Sequence, residues 1–202
     1  PALQAFMAAG VGSDHELTSG SDLMEKLRAG LFIELRGSHD HLLPEFVAEL
    51  NRLGHLPQTV SLCTDDVFPD DLLHGGGLTD VVRRLVGYGL PSEWALQAAT
   101  LNGARKIGRD DLGLIAAGRR ADIVILDDLK AFVARHVVAN GRVVAHDGEV
   151  LRASVEVGAA PFLNSVRLPA LTTDDFRLRS AGDRVRVATI DRPRFTRWGE
   201  AE

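Results

Sequence analysis

The chain has 202 residues, of which 45% are hydrophobic and 25% charged, a composition that excludes a disordered tail, a collagen-like fibre and a disulfide miniprotein. With 23 Lys and Arg against 28 Asp and Glu the net charge is −5, so no nucleic acid partner is expected. One cysteine, Cys63, cannot close an intramolecular disulfide, and no apolar run approaches the roughly 20 residues that span a bilayer, so no membrane contact and a cytoplasmic location are expected.

The first 108 residues alternate helical and strand patterns. Ala2 to Ala9 carries Leu3, Phe6 and Met7 at helical spacing with no initiator Met, which suggests a segment upstream. Gly10-Val11-Gly12 turns, and a very short strand leads into Ser13-Asp14-His15-Glu16. Ser21 is the expected N-cap of a helix over Asp22 to Ala29, ended by Gly30. Leu31 to Leu35 is an apolar run of strand length with Arg36-Gly37-Ser38 at its carboxyl edge. A helix over Leu43 to Leu53 stops at Gly54. Val60 to Cys63 is the next strand, followed by Thr64-Asp65-Asp66. Helices are expected over Thr79 to Tyr88 and, opened by Pro91, as far as Ile107 before Gly108. Strands and helices alternating through short loops predict parallel βα units.

Beyond Gly113 the pattern changes to short β runs, Asp122 to Leu126, Val133 to Val138 and Arg142 to Ala145. The dipeptides Asn140-Gly141 and Asp147-Gly148 supply the positive φ that tight hairpin turns need. Alternating runs continue at Phe176 to Arg179 and Arg184 to Val187. From residue 151 onward nine Arg face seven acidic residues, which a solvated strand face explains. The expected organisation is a 1–108 unit of βα repeats and a 109–202 β-rich unit.

Titratable residues cluster after two of the strands, at Asp14-His15-Glu16 and at Asp65-Asp66. In parallel α/β folds such positions converge on one edge of the sheet, and an imidazole with a carboxylate suits zinc, manganese or iron. The competing reading makes Asp65-Asp66 only a turn and a cap before Pro69. His39, His41, His55 and His74 read as solvated surface histidines, and Cys63 as a small core residue.

Ser13-Asp14-His15-Glu16, Arg36-Gly37-Ser38, Cys63-Thr64-Asp65-Asp66, the stretch Ala98 to Ala104 and the run Gly113 to Val124 together resemble, in order and spacing, the second half of bacterial adenine deaminases of the amidohydrolase superfamily. The resemblance implies an α/β fold: the C-terminal portion of a metal-dependent TIM barrel followed by a small β-sandwich domain. It implies His15 and Asp65 as catalytic residues and ligands of a divalent metal, manganese or iron in the first place and zinc in the second. A metal-activated hydroxide would attack C6 of adenine while Asp65 shuttles the proton. Glu16, Asp66, Arg36 and Ser38 become candidates for gripping the purine, and a homo-oligomer is expected. Two departures stand out. The family's Gly-His-hydrophobe-Asp run reads Gly76-Gly77-Leu78-Thr79 here, and the His-x-His pair and bridging Glu of the earlier barrel strands are absent, so a missing N-terminal part of the barrel is the expected partner. The alternatives are another amidohydrolase acting on a cyclic amide or N-acyl substrate, or a non-catalytic fragment.

Overall fold

The computed structural model describes residues 2–151, 166–177, 182, 185–192 and 195–201. The chain divides into two compact units, Pro1–Arg152 and Ala153–Glu202. In the first unit the helix α1 (Ala2–Ala8) leads into β1 (Ser13–Asp14), α2 (Gly20–Ala29), β2 (Phe32–Arg36), α3 (Leu43–Leu53) and β3 (Val60–Cys63). β1, β2 and β3 form one parallel sheet in that order, with Asp14 opposite Ile33 and Arg36 opposite Cys63. Parallel pairing with β2 in the middle places the carboxyl ends of all three strands along one edge.

Helix–sheet packing follows from the spacing of apolar residues. In α3 the buried residues are Leu43, Phe46, Val47 and Leu50, at i, i+3, i+4 and i+7, a stripe on one face. In β2 Ile33 and Leu35 are fully buried, and in β3 Val60 and Leu62 join them. α2 is capped by Ser19, whose hydroxyl accepts the Asp22 N–H at 3.2 Å, rather than by Ser21, which lies inside the helix. Both serines are competent caps; Ser19 is the one whose extended backbone leaves the helix axis. Gly30, at φ 94, ends the helix in the left-handed conformation that glycine adopts without a steric cost.

After β3 come α4 (Pro69–Leu73), α5 (Leu78–Gly87), α6 (Ser92–Gln97) and α7 (Gly103–Lys106). α4 has no counterpart in the sequence reading; the Asp71 carboxylate accepts the Phe68 N–H at 3.1 Å and sets its first turn. The helix expected up to Ile107 is helical from Ser92, but Ala98–Asn102 is a π-turn. The fully buried Asn102 accounts for what that segment does: its amide donates to the carbonyls of Val60 at 2.7 Å and Pro57 at 3.2 Å, tying the helix to β3. The chain then passes close over the π-turn at Gly113, where φ is +77 and an added Cβ would lie 2.7 Å from the Thr100 carbonyl oxygen.

The remaining strands of this unit, β4 (Ile123–Leu126), β5 (Ala134–Ala139), β6 (Arg142–His146) and β7 (Glu149–Val150), form one antiparallel sheet in sequence order. Asn140-Gly141 and Asp147-Gly148 turn its hairpins, all four residues at positive φ. Phe132, 1% exposed, inserts into the same apolar cluster as Ile33 and Leu35, so this sheet shares its core with the βα repeats. In the second unit the described residues include a short 3-10 turn over Thr173–Phe176, where an alternating strand was expected to begin, and a hairpin of β8 (Val185–Arg192) with β9 (Phe195–Ala201). Leu178 and Arg179 of the Phe176 to Arg179 run, and Arg184, lie outside the described residues.

Asn102→Leu keeps the volume and removes both donors. With the buried Val60 carbonyl left unpaired, while the Pro57 carbonyl keeps the Val60 N–H at 3.1 Å, the full-length protein should lose about 1–3 kcal/mol in denaturant unfolding. An unchanged midpoint would mean that the helix is held to β3 by packing alone.

Candidate active site

Three loops meet at the carboxyl edge of the parallel sheet. His15-Glu16 follows β1, Gly37-Ser38-His39 follows β2 as a 3-10 turn, and Thr64-Asp65-Asp66 follows β3. Each loop is anchored locally. Asp14 accepts the Glu16 N–H at 2.9 Å and turns His15-Glu16 back toward the sheet. The Ser38 N–H donates to the Thr64 carbonyl at 3.1 Å, joining the second loop to the third. That approach needs a glycine at 37: an added Cβ would lie 2.5 Å from Val81 Cγ2 and 3.3 Å from the Thr64 carbonyl. Asp65 and Asp66 both hold left-handed backbone, at φ 50 and 47, with the Asp66 N–H on Asp65 Oδ1 at 2.8 Å. Consecutive non-glycine residues in that region store strain of order 1–3 kcal/mol each, of the kind found where side chains must be aimed.

Arg36 is the hub. Its side chain is buried at the end of the central strand, 9% exposed as a residue, and its guanidinium serves all three loops. Nη1 donates to Glu16, Nη2 to Asp66 and Nε to Ser38 Oγ, and Nε forms an ion pair with Asp65 Oδ2 at 2.7 Å. Burial alone would disfavour the charge, but Asp65, Asp66 and Glu16 outweigh it and hold Arg36 more firmly protonated than in water. Three carboxylates against one guanidinium leave the edge net negative. His15 Nε2 lies 3.4 Å from Asp65 Oδ2 and 3.8 Å from Glu16 Oε1. One ligand atom from each of His15, Glu16 and Asp65 lies within 4.8 Å of the others. The structure thus brings together all six residues singled out from the sequence, although they are as far as 51 positions apart in the chain.

Two further residues belong to this edge. Lys26 of α2 pairs with Asp14 and, at 2.8 Å, with Asp22. Burial pulls these groups toward their neutral forms, yet the pairing prevails: Asp14 sits below the usual carboxylate range and Lys26 above the usual amine value. His39, read from sequence as a solvated surface residue, is instead part-buried, with Nε2 3.9 Å from Glu16 Oε2 and Nδ1 buried without a hydrogen-bond partner. Burial, reinforced by Arg36 and His41, lowers its pKa against the opposing pull of Glu16 and Asp65. The one sequence signal for it was its place three residues beyond Arg36 on a strand's carboxyl end. Cys63, expected as a small core residue, is only part-buried at the end of β3 and lies outside the apolar cluster; burial, with Asp65 nearby, pushes its thiol up to about 11, far from a thiolate nucleophile.

A model of the amidohydrolase family matches residues 7–144. Proteins named adenine deaminase 2 from Agrobacterium fabrum and Rhizobium meliloti are 69% and 68% identical over 99% and 98% of the chain, and an adenine deaminase from Klebsiella pneumoniae is 50% identical over 99% of it. The chain spans about a third of the length of these curated relatives, 34%, 33% and 34% respectively. Among solved structures, the β-aspartyl dipeptidase of Fervidobacterium islandicum AW-1 superposes with a TM-score of 0.53 at 22% identity, covering 68% of this chain and 39% of that one, a likeness of fold.

The lowered pKa of His39 fixes the sign of a pH effect. The unfolded chain takes up this proton first, near the ordinary histidine value of about 6.5, so the folded state loses stability as the pH falls through that value toward the lower folded one. Thermal unfolding of the full-length protein at pH values above and below that point should therefore show a steeper loss on acidification for the wild type than for His39→Gln. Parallel profiles for the two proteins would remove His39 from this balance.

Proposed function

The chain belongs to the amidohydrolase family, and we propose that the full-length protein hydrolyses adenine to hypoxanthine and ammonia. The observation that carries this reading is the convergence of His15, Glu16 and Asp65 on one sheet edge around Arg36. The relatives at 50–69% identity, named adenine deaminases, support the choice of substrate. On this reading residues 1–108 supply the last βα units of a TIM barrel, residues 109–202 a β-rich part that includes a small β-sandwich, and the full-length protein the earlier strands. A cytoplasmic homo-oligomer is the form proposed for it; no helix among the described residues is long and apolar enough to cross a membrane.

The family is generally dependent on a divalent metal, and the donor set here fits part of such a site. His15 offers an imidazole nitrogen and Asp65 a carboxylate oxygen, with Glu16 within the same reach, a combination suited to manganese, iron or zinc. When bound, the ion supplies Lewis acidity that makes water a competent nucleophile at neutral pH. The protein's own groups do the rest. Asp65 takes the proton of the attacking water on its carboxylate and returns it to ring nitrogen N1 of adenine; it then takes the proton of the new C6 hydroxyl and passes it to the exocyclic amine, so that the C6–N bond breaks with ammonia leaving and a C6 carbonyl remaining. Arg36, paired with Asp65 at 2.7 Å, aims that carboxylate. Ser38 accepts from Arg36 Nε, which leaves its hydroxyl proton free to donate to a purine nitrogen. Glu16 and Asp66 are acceptors at the same edge, suited to purine N–H groups.

Steady-state kinetics on the full-length enzyme separate these roles. Asp65→Asn keeps the size and removes the proton acceptor and an anionic ligand, so turnover of adenine should fall by a factor on the order of 10³ or more with the fold intact. Asp66→Asn should act mainly on KM. Near-wild-type turnover in Asp65→Asn would remove the central residue of this mechanism. Activity on dihydroorotate or an N-acyl amino acid without activity on adenine would keep the family chemistry and overturn the substrate.

A further inference from the structure

Away from the strand ends, the antiparallel sheet carries a histidine cluster that the proposed reaction does not use. His136 of β5 and His146 of β6 stand directly opposite each other in the ladder. Their ring centroids are 4.5 Å apart and the rings are inclined by 54°. The Asp147-Gly148 turn, with Asp147 at φ 48, folds the Asp147 carboxylate back so that Oδ2 lies 3.1 Å from His146 Nδ1. Asp147 is itself held in place: Oδ1 accepts from Arg135 Nη1 at 2.8 Å, and its N–H donates to the Arg135 carbonyl at 2.8 Å. Arg135 is fixed in turn by Asp127, which accepts from Nε at 2.6 Å.

This is a ligand arrangement in chemical terms. A carboxylate beside Nδ1 favours the tautomer that carries the proton there and leaves the His146 lone pair on Nε2, the same outer support that metal-binding histidines ordinarily have. Two imidazoles whose centroids are 4.5 Å apart can bring one nitrogen each to a common ion at about 2.0–2.1 Å with side-chain adjustments alone, because directly opposed residues on a sheet face are near neighbours. The His146 side chain is 49% exposed, so the remaining coordination positions are open to water. A pair of imidazoles favours copper, nickel or zinc over magnesium and calcium, which prefer oxygen. We propose that His136 and His146 form a surface binding site for a divalent late transition metal, Cu(II), Ni(II) or Zn(II), with Asp147 as the residue that orients His146.

The site is independent of the amidohydrolase reading, and its test is binding rather than turnover. The full-length protein, carrying its own metal, is equilibrated with Cu(II) or Ni(II), the bound metal is counted by elemental analysis after dialysis, and the Cu(II) form is examined for nitrogen hyperfine splitting by electron paramagnetic resonance. One added equivalent with two imidazole nitrogens is expected, lost in both His136→Gln and His146→Gln, and bound 10- to 100-fold more weakly in Asp147→Asn. Magnesium should not compete for it. An added equivalent that survives both histidine substitutions would place the ion elsewhere and overturn the proposal, as would the absence of any added equivalent in the wild type.

Discussion

A buried guanidinium shared by three carboxylates is the constraint on which this sheet edge depends. Glu16, Asp65 and Asp66 arrive from two different loops, and without a cation between them their mutual repulsion would drive the loops apart. Arg36 supplies that cation from β2, the strand that neighbours both of the others, and its planar fork can face several acceptors at once where an ammonium could not. The arrangement costs desolvation of a charge at a residue 9% exposed, which is offset because each of the three guanidinium nitrogens finds an acceptor. Arg36 thus serves two purposes: it assembles the edge, and it fixes the position of the Asp65 carboxylate.

Below that charged layer the support is apolar and helical. Ile33, Leu35, Val60 and Leu62 fix the strands from within, and Phe46, Val47 and Leu85 press the helices against them. Asn102 converts helix position into strand position, since its amide holds the Val60 carbonyl at the start of the strand that ends beside Asp65. Strain at Asp65 and Asp66 persists because the neighbouring loop is locked to Thr64 through Ser38 and Gly37. Local backbone cost at the site is offset by packing several residues away.

Much of this was legible in the sequence, for physical reasons that differ by element. β2 and β3 were readable as short apolar runs with polar residues at one end, and the two hairpins as Asn-Gly and Asp-Gly, whose conformational preference is local. The N-cap at Ser19 was not, because Ser19 and Ser21 are chemically equivalent candidates and only the helix axis distinguishes them. The π-turn was invisible, since it exists to serve a contact between residues 42 positions apart. His39 was missed for the same reason: a lone histidine in a polar loop has no periodicity, and its part-buried place beside Glu16 is a tertiary fact. Arg36 was read as a contact for the purine; its ties to three carboxylates lie outside anything that spacing along the chain reveals.

Chemically identical carboxylates at the ends of β1 and β3 take different parts here because of the cations around them. Asp14 is clamped by Lys26 and by the Glu16 N–H, so its charge is spent on holding a loop, and its pKa lies below the usual range. Asp65 shares its guanidinium with Asp66 and Glu16 and has a neutralisable partner, His15, at 3.4 Å, so its charge is less completely matched. Protonation of Asp14 would break its contact with Lys26, which among the described residues has only Asp22 besides it, and would loosen the loop. Asp65 shares its guanidinium with two other carboxylates, so it can take up a proton while Arg36 keeps its other acceptors. The division between an anchoring aspartate on β1 and a working one after β3 therefore follows from where Lys26 and Arg36 stand, one on a helix flank serving two aspartates and the other on the central strand serving the whole edge.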